Sequence, residues 1–165
     1  MNVTTKGLYA PNLIAICVDK SHGNDYEGEI WDQYHEESTH FDSMLEVLQH
    51  VERFLDELDF PQRSTVPRTF VEPFLTTGKG GQHKDKEKVM SNLEDKNGEE
   101  GTFIVQVKYR QNATWQGQVV WAEQNKKVYF RSALELLRLM DNALNSNDGS
   151  GFLPPAGGAA GENEA

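Results

Sequence analysis

The residues best equipped for chemistry in this chain lie together in one stretch, Arg110-Gln111-Asn112-Ala113-Thr114-Trp115-Gln116-Gly117. Arg110, Gln111, Asn112, Trp115 and Gln116 combine guanidinium and amide donors with an indole, a composition suited to holding a peptide or a small polar ligand. The same residues have a plainer reading: Asn112 and Ala113 make a hairpin turn, Trp115 fills the core, and Gly117 permits close packing or a bulge. Reaction chemistry has less footing. No Ser-His-Asp, Cys-His or paired-carboxylate arrangement with a supporting context occurs, so no catalytic residue is assigned and the expectation is a non-enzyme.

Asp19, His22 and Asp25 bracket a polar turn, and His35 and His40 flank Glu36 and Glu37. Neither set has the spacing of a known metal site, and turns are rich in Asp and His in any case, so no metal and no cofactor is expected. Thr77-Gly78-Lys79-Gly80-Gly81 has the glycines of a phosphate-cradling loop. Pro73 stands where the first glycine of a P-loop belongs, and Gly80 replaces the hydroxyl residue after the lysine, which leaves a flexible linker.

The elements that must carry the 110–116 loop are legible from periodicity. Phe103, Val105, Val107 and Tyr109 alternate with Ile104, Gln106, Lys108 and Arg110, predicting a strand with one face buried and one largely wet. Ser132-Ala133-Leu134-Glu135 is a capping box, with Ala133, Leu137, Met140 and Leu144 as the buried stripe of the helix behind it. The same pattern stands upstream. Ser43-Met44-Leu45-Glu46 is a capping box, followed by Met44, Leu48, Val51, Leu55 and Leu58 on one face. Gly28, Phe41, Ser43, Leu45, Glu46, Leu48 and Leu55 match Gly117, Phe130, Ser132, Leu134, Glu135, Leu137 and Leu144 at a constant offset of 89, and Ile14, Ile16 and Val18 fall on Phe103, Val105 and Val107.

These matches fall where cap chemistry and core packing demand particular residue types, so they read as an internal duplication. The expected fold is α+β, with two tandem β-β-β-α repeats forming one mostly antiparallel sheet and two helices packed on one face. Repeat one spans 12–58 and repeat two 101–147, within a single pseudo-symmetric domain over 1–147. Between them, residues 59–100 form a crossover, with a short strand-like Thr69-Phe70-Val71 and a mobile, charged segment from 84 onward. Residues 148–165, rich in Gly, Ala, Asn and Glu, are expected to be a disordered tail.

A net charge of −10 disfavours a nucleic-acid partner, because phosphate backbones are bound by clustered Lys and Arg. The charge is unevenly shared. Residues 12–58 hold two basic against twelve acidic side chains, net −10, whereas residues 101–147 hold six against three, net +3. Opposite ends favour self-association, as a homodimer or head to tail, or the steering of a basic partner to the first half; simple solubilisation by drifted surface charge is the alternative. The lone Cys17 lies in an apolar run as a buried thiol, which fits a reducing cytoplasm. The opening MNVTTKGLYAPN lacks a charged-then-apolar leader, and no run of apolar residues is long enough to span a bilayer, so a cytoplasmic protein without membrane contact is expected.

Arg110-Gln111-Asn112-Ala113-Thr114-Trp115-Gln116-Gly117 and Phe130-Arg131-Ser132-Ala133-Leu134-Glu135-Leu136, with Phe60-Pro61-Gln62 more weakly, resemble an uncharacterised family of short proteins from anaerobic Gram-positive bacteria. The resemblance implies a bacterial cytoplasmic setting and carries no activity with it. Taken together, the sequence points to a non-enzymatic cytoplasmic regulator or adaptor that binds another protein. Two alternatives stand beside it: an acidic nucleic-acid mimic or sequestering inhibitor, and a small-ligand sensor with its site between the repeats.

Overall fold

The structure, a computed structural model, describes residues 10–71 and 93–146. Strands β1 (Ile14–His22), β2 (Asp25–Asp32) and β3 (Thr39–Phe41) precede helix α1 (Met44–Leu58), and strands β4 (Gly101–Tyr109), β5 (Gln116–Trp121) and β6 (Lys126–Phe130) precede helix α2 (Ala133–Ser146). All six strands join one open sheet in the order β3-β2-β1-β4-β5-β6, every neighbouring pair antiparallel. The α+β class is therefore observed directly. The first strand runs further than its apolar segment suggests: β1 continues to His22, so the turn shrinks to Gly23 and Asn24.

One core lies between the sheet and the two helices. The strands send in Ile14, Ile16, Val18, Ile30, Phe41, Phe103, Val105, Val107, Val119 and Phe130. The helix stripes are rotated from the expected ones. Val47, Val51, Phe54 and Leu55 are the buried residues of α1, and Leu136, Met140, Ala143 and Leu144 those of α2; Met44, Leu48, Leu58, Ala133 and Leu137 are half-buried at the margin. The buried line runs through Phe54 in α1 and Leu136 in α2 rather than through Leu48 and Leu137.

The expectation of a wet second face is corrected for the middle of the sheet. Ala10, Leu13, Ala15, Leu93, Ile104 and Val120 form a smaller buried cluster there, flanked by Trp31. A turn of 3-10 helix (Leu93–Asp95) and the residues after it cover this face. They are pinned by Glu100 N donating to Val18 O at 2.8 Å, Gly98 N to Thr102 Oγ1 at 2.9 Å, and the Lys96 ammonium 3.8 Å from the Trp31 ring centre. Charged residues dominate that segment, yet Leu93 is enough to anchor it. The remainder of the segment expected to be mobile, the glycine loop at 77–81 and the tail expected at 148–165 lie outside the described residues. Thr69, Phe70 and Val71, expected as a short strand, lie in irregular backbone with Phe70 fully exposed.

Both helices begin as the capping boxes predict, with one difference. Ser43 and Ser132 accept from the backbone N–H of Glu46 and Glu135, but each glutamate reaches past the cap residue to the N–H before it, Asp42 at 2.8 Å and Arg131 at 3.2 Å. Gly28 and Gly117 have a shared reason to be glycine. A Cβ on either would stand 2.0 Å from a carbonyl oxygen of the neighbouring strand, Cys17 O or Gln106 O, beside the bulges at Val18/Lys20 and Val107/Tyr109. Phe41 and Phe130 lie over these bare backbones.

Candidate functional site

The two hairpins part company at their tips. In the first, pairing continues through Ser21↔Tyr26 and His22↔Asp25; in the second it stops at Tyr109↔Gln116, which frees residues 110–115 as a loop. Arg110 is the cause. Its backbone carbonyl accepts from Ser64 N and Ser64 Oγ, both at 3.1 Å, so at the end of β4 the chain parts from β5 and meets the crossover at Arg63. Asn112 and Ala113 then turn the loop with φ of 55° and 56°, a left-handed conformation that Asn tolerates and Ala adopts at a cost. Gln116 closes it. Its side-chain oxygen accepts from Gln111 N and its amide donates to Gln111 O, each at 3.0 Å, with a further bond to Arg131 O at 3.3 Å.

The side chains of Arg110 and Trp115 turn inward. The Arg110 guanidinium, 4% exposed, reaches Glu52 Oε1 at 2.6 Å and Asp56 Oδ1 at 2.8 Å on α1. Arg63 reaches the same two carboxylates. Trp115 Nε1 donates to the other oxygen of Glu52 at 2.6 Å, and its ring joins the main core. Glu52 and Asp56 stand one helical turn apart, so α1 presents both to the two arginines, and the four charges cancel locally. Of the five residues singled out from sequence, Arg110 and Trp115 thus fasten the loop to α1, Gln116 clamps its ends, and Gln111 and Asn112 are exposed at its tip. Glu52, Asp56 and Arg63 were not anticipated. The one available signal was the four-residue spacing of the two carboxylates on the polar face of α1.

Fastening the loop this way leaves a depression of about 340 Å³ beside it, lined by Leu48, Gln49 and Glu52 of α1, Arg63, Thr65 and Pro67 of the crossover, Arg110 and Ala113 to Trp115 of the loop, and Ala133 of α2. Its walls are mainly apolar, with the ion cluster at one end. Thr114 Oγ1 accepts from Ala133 N at 2.9 Å, tying the loop to the start of α2. Val66, between two of the lining residues, is 89% exposed.

The candidate metal sets from sequence are given separate partners. Asp19 accepts from Glu99 N, Asp25 from Met44 N at the start of α1, and His22 Nε2 lies 3.1 Å from Asp42 O. His35 pairs with Asp32, and His40 lies between Glu29 and Asp42, which hold its pKa above the ordinary histidine value by hydrogen bonding. Among the described residues no group of three or more His, Cys, Asp or Glu is arranged to hold a metal ion, and no helix is long and apolar enough to cross a membrane. Burial pushes the Cys17 thiol up to about 12, with Asp19 and Glu123 adding to the effect, so the thiol stays protonated and inert at neutral pH.

No family model, no curated protein and no solved structure matches this chain.

Proposed function

We propose that this chain is a non-catalytic regulator or adaptor that binds a segment of another protein in the depression between α1 and the 110–116 loop. The observation that carries the reading is the ion cluster of Arg110, Arg63, Glu52 and Asp56: it consumes the loop's strongest donors to hold an apolar-walled groove open beside α1. Gln111 and Asn112 at the tip, Gln49 on α1 and Thr65 on the crossover supply polar contacts at the rim, as protein interfaces require. A bacterial cytoplasmic setting, from the resemblance above, belongs to the same proposal.

Placing a tryptophan at Gln49, an exposed helix position on the groove wall, fills the depression without touching the core. Affinity capture from the native host with mass spectrometry, comparing wild type, Gln49→Trp and the remote Glu36→Ala, is the test. Partners lost only with Gln49→Trp support the site; an identical partner set for all three refutes it.

A second reading rests on the volume. About 340 Å³ falls at the lower end of small-ligand sites, so the same groove suits a small polar ligand. A thermal-shift screen against nucleotides and metabolites separates the two, since a flat profile retires the sensor and leaves the adaptor. The acidic-mimic reading is less favoured, because Asp25, Asp32, Glu46, Glu52 and Asp56 are committed to internal hydrogen bonds.

We also read the two halves as copies of one unit. The buried helix residues 47, 51, 54 and 55 correspond to 136, 140, 143 and 144 at the offset of 89. The register pairs Gly28↔Phe41 and Gly117↔Phe130 correspond likewise. So do two contacts that cross between halves: Tyr26 OH donates to Asp141 at 2.7 Å, and Trp115 Nε1 to Glu52 at 2.6 Å.

A further inference from the structure

The outer edge of β6 is a second place where the molecule has unfilled bonding capacity. Lys126, Lys127, Val128 and Tyr129 are all exposed, and among the described residues β6 pairs only with β5. Alternate N–H and C=O groups along such an edge point away from the sheet and can pair with another strand. The opposite edge, β3, has three residues against five, and its His40 is engaged by Glu29 and Asp42.

Beside β6, on the helix side, is a cavity of about 160 Å³ lined by Phe103, Val119, Trp121, Lys126 and Val128 of the sheet and by Leu139, Asn142 and Ala143 of α2. Cavities on the order of 150 Å³ accommodate a benzene ring, so one apolar side chain fits. The indole Nε1 of Trp121, a lining residue, is buried and has no hydrogen-bond partner among the described residues. A buried donor left unpaired is costly, and an arriving acceptor removes that cost. Lys126 is the register partner of Trp121, so the two side chains are neighbours on one face of the sheet, and both line the cavity. Both ask for a carboxylate.

From this geometry we infer that β6 and α2 form a strand-addition groove for an extended acidic peptide segment, which pairs along β6, places an apolar side chain in the cavity and a carboxylate against Lys126 and Trp121 Nε1. Charge selects the occupant. Lys127 and Lys126 are on the edge itself, and residues 101–147 carry net +3, so a second copy meeting β6 with its own β6 brings like charges together. Edge lysines also discourage indiscriminate pairing, which restricts the groove to strands that bring negative charge. The groove is separate from the depression at α1, shares no lining residue with it, and does not depend on it.

The test is titration of the full ¹⁵N-labelled chain with a capped seven-residue peptide alternating Glu with Leu, followed by NMR. Binding is expected to shift the amides of residues 126–130 and the Trp121 indole N–H. Lys126→Glu with Lys127→Glu should weaken it by about tenfold or more. Trp121→Phe, which keeps a ring and removes the donor, should weaken it about fivefold. N-methylation of alternate peptide amides should abolish it. Three results overturn the inference: no shifts up to saturating peptide, equal binding of a peptide with Lys in place of Glu, or concentration-dependent self-association that the double lysine variant abolishes, which would give the edge to a second copy.

Discussion

Truncating Arg110 to alanine separates a residue that fastens the loop from one held free for a ligand. The side chain is 4% exposed and holds Glu52 at 2.6 Å and Asp56 at 2.8 Å. Removing one member of a buried ion pair costs about 3–5 kcal/mol when the partner is left stranded. Here the partners are 36% and 44% exposed and retain Arg63, so they rehydrate in part and the lower end applies, about 3 kcal/mol. For a chain of this size that corresponds to a fall in Tm of roughly 6–12 °C. Arg110→Lys keeps a point charge but loses the two-pronged geometry and should fall about midway. Urea and thermal unfolding of wild type, Arg110→Ala, Asp56→Asn and the double variant give the coupling directly, which should be favourable by more than about 1 kcal/mol. A loss below about 0.5 kcal/mol for Arg110→Ala, the range of ordinary surface changes, would refute the reasoning.

Gly28→Ala and Gly117→Ala should each cost about 3 kcal/mol or more, because the added carbon stands 2.0 Å from backbone, whereas Gly23→Ala, with open space but a φ of 62°, should cost only about 1–2 kcal/mol; denaturant melts rank the three. His40 and His50 should give stability opposite pH dependences. The raised pKa of His40 contributes stability that is full below the unfolded value near 6.5 and is lost as pH rises through the folded value; His50, lowered mainly by burial, contributes stability that is present above about 6.5 and lost as pH falls toward its folded value. Melts of His40→Gln and His50→Gln between pH 5 and 8 should therefore change slope in opposite senses, and a common sense would contradict the assignment. Cys17, buried and held protonated, should react with a thiol reagent at pH 8 only on unfolding; stoichiometric labelling of the native chain would show that the β1 face opens.

How much of this was legible in the sequence depended on how local the cause was. The capping boxes at Ser43 and Ser132 rest on residues three or four apart, and both helices start as read. Strand β4 follows from alternation, and the close packing read at Gly117 is present, with Gly28 as its counterpart. The helix stripes are rotated because both faces carry apolar residues, and periodicity alone does not separate adjacent positions such as Leu136 and Leu137; packing against the sheet does. The covering of the second face was not legible, since a charged segment anchored by one leucine resembles a solvated linker. The same limit applied to the site. Arg110 and Trp115 look like free recognition groups until α1 brings Glu52 and Asp56 against them from more than 50 residues away, a pairing that no spacing in the sequence records.

The claim that the depression between α1 and the 110–116 loop binds a protein segment is tested most directly with a displayed peptide library selected on the full chain carrying Lys126→Glu and Lys127→Glu, which removes the β6 groove from the selection. The best recovered peptide would then be titrated calorimetrically against wild type, Gln49→Trp and the Lys126→Glu/Lys127→Glu variant. The account predicts saturable binding that Gln49→Trp weakens at least about tenfold and the lysine variant leaves unchanged. Failure to enrich any peptide, or binding indifferent to Gln49→Trp, would contradict it.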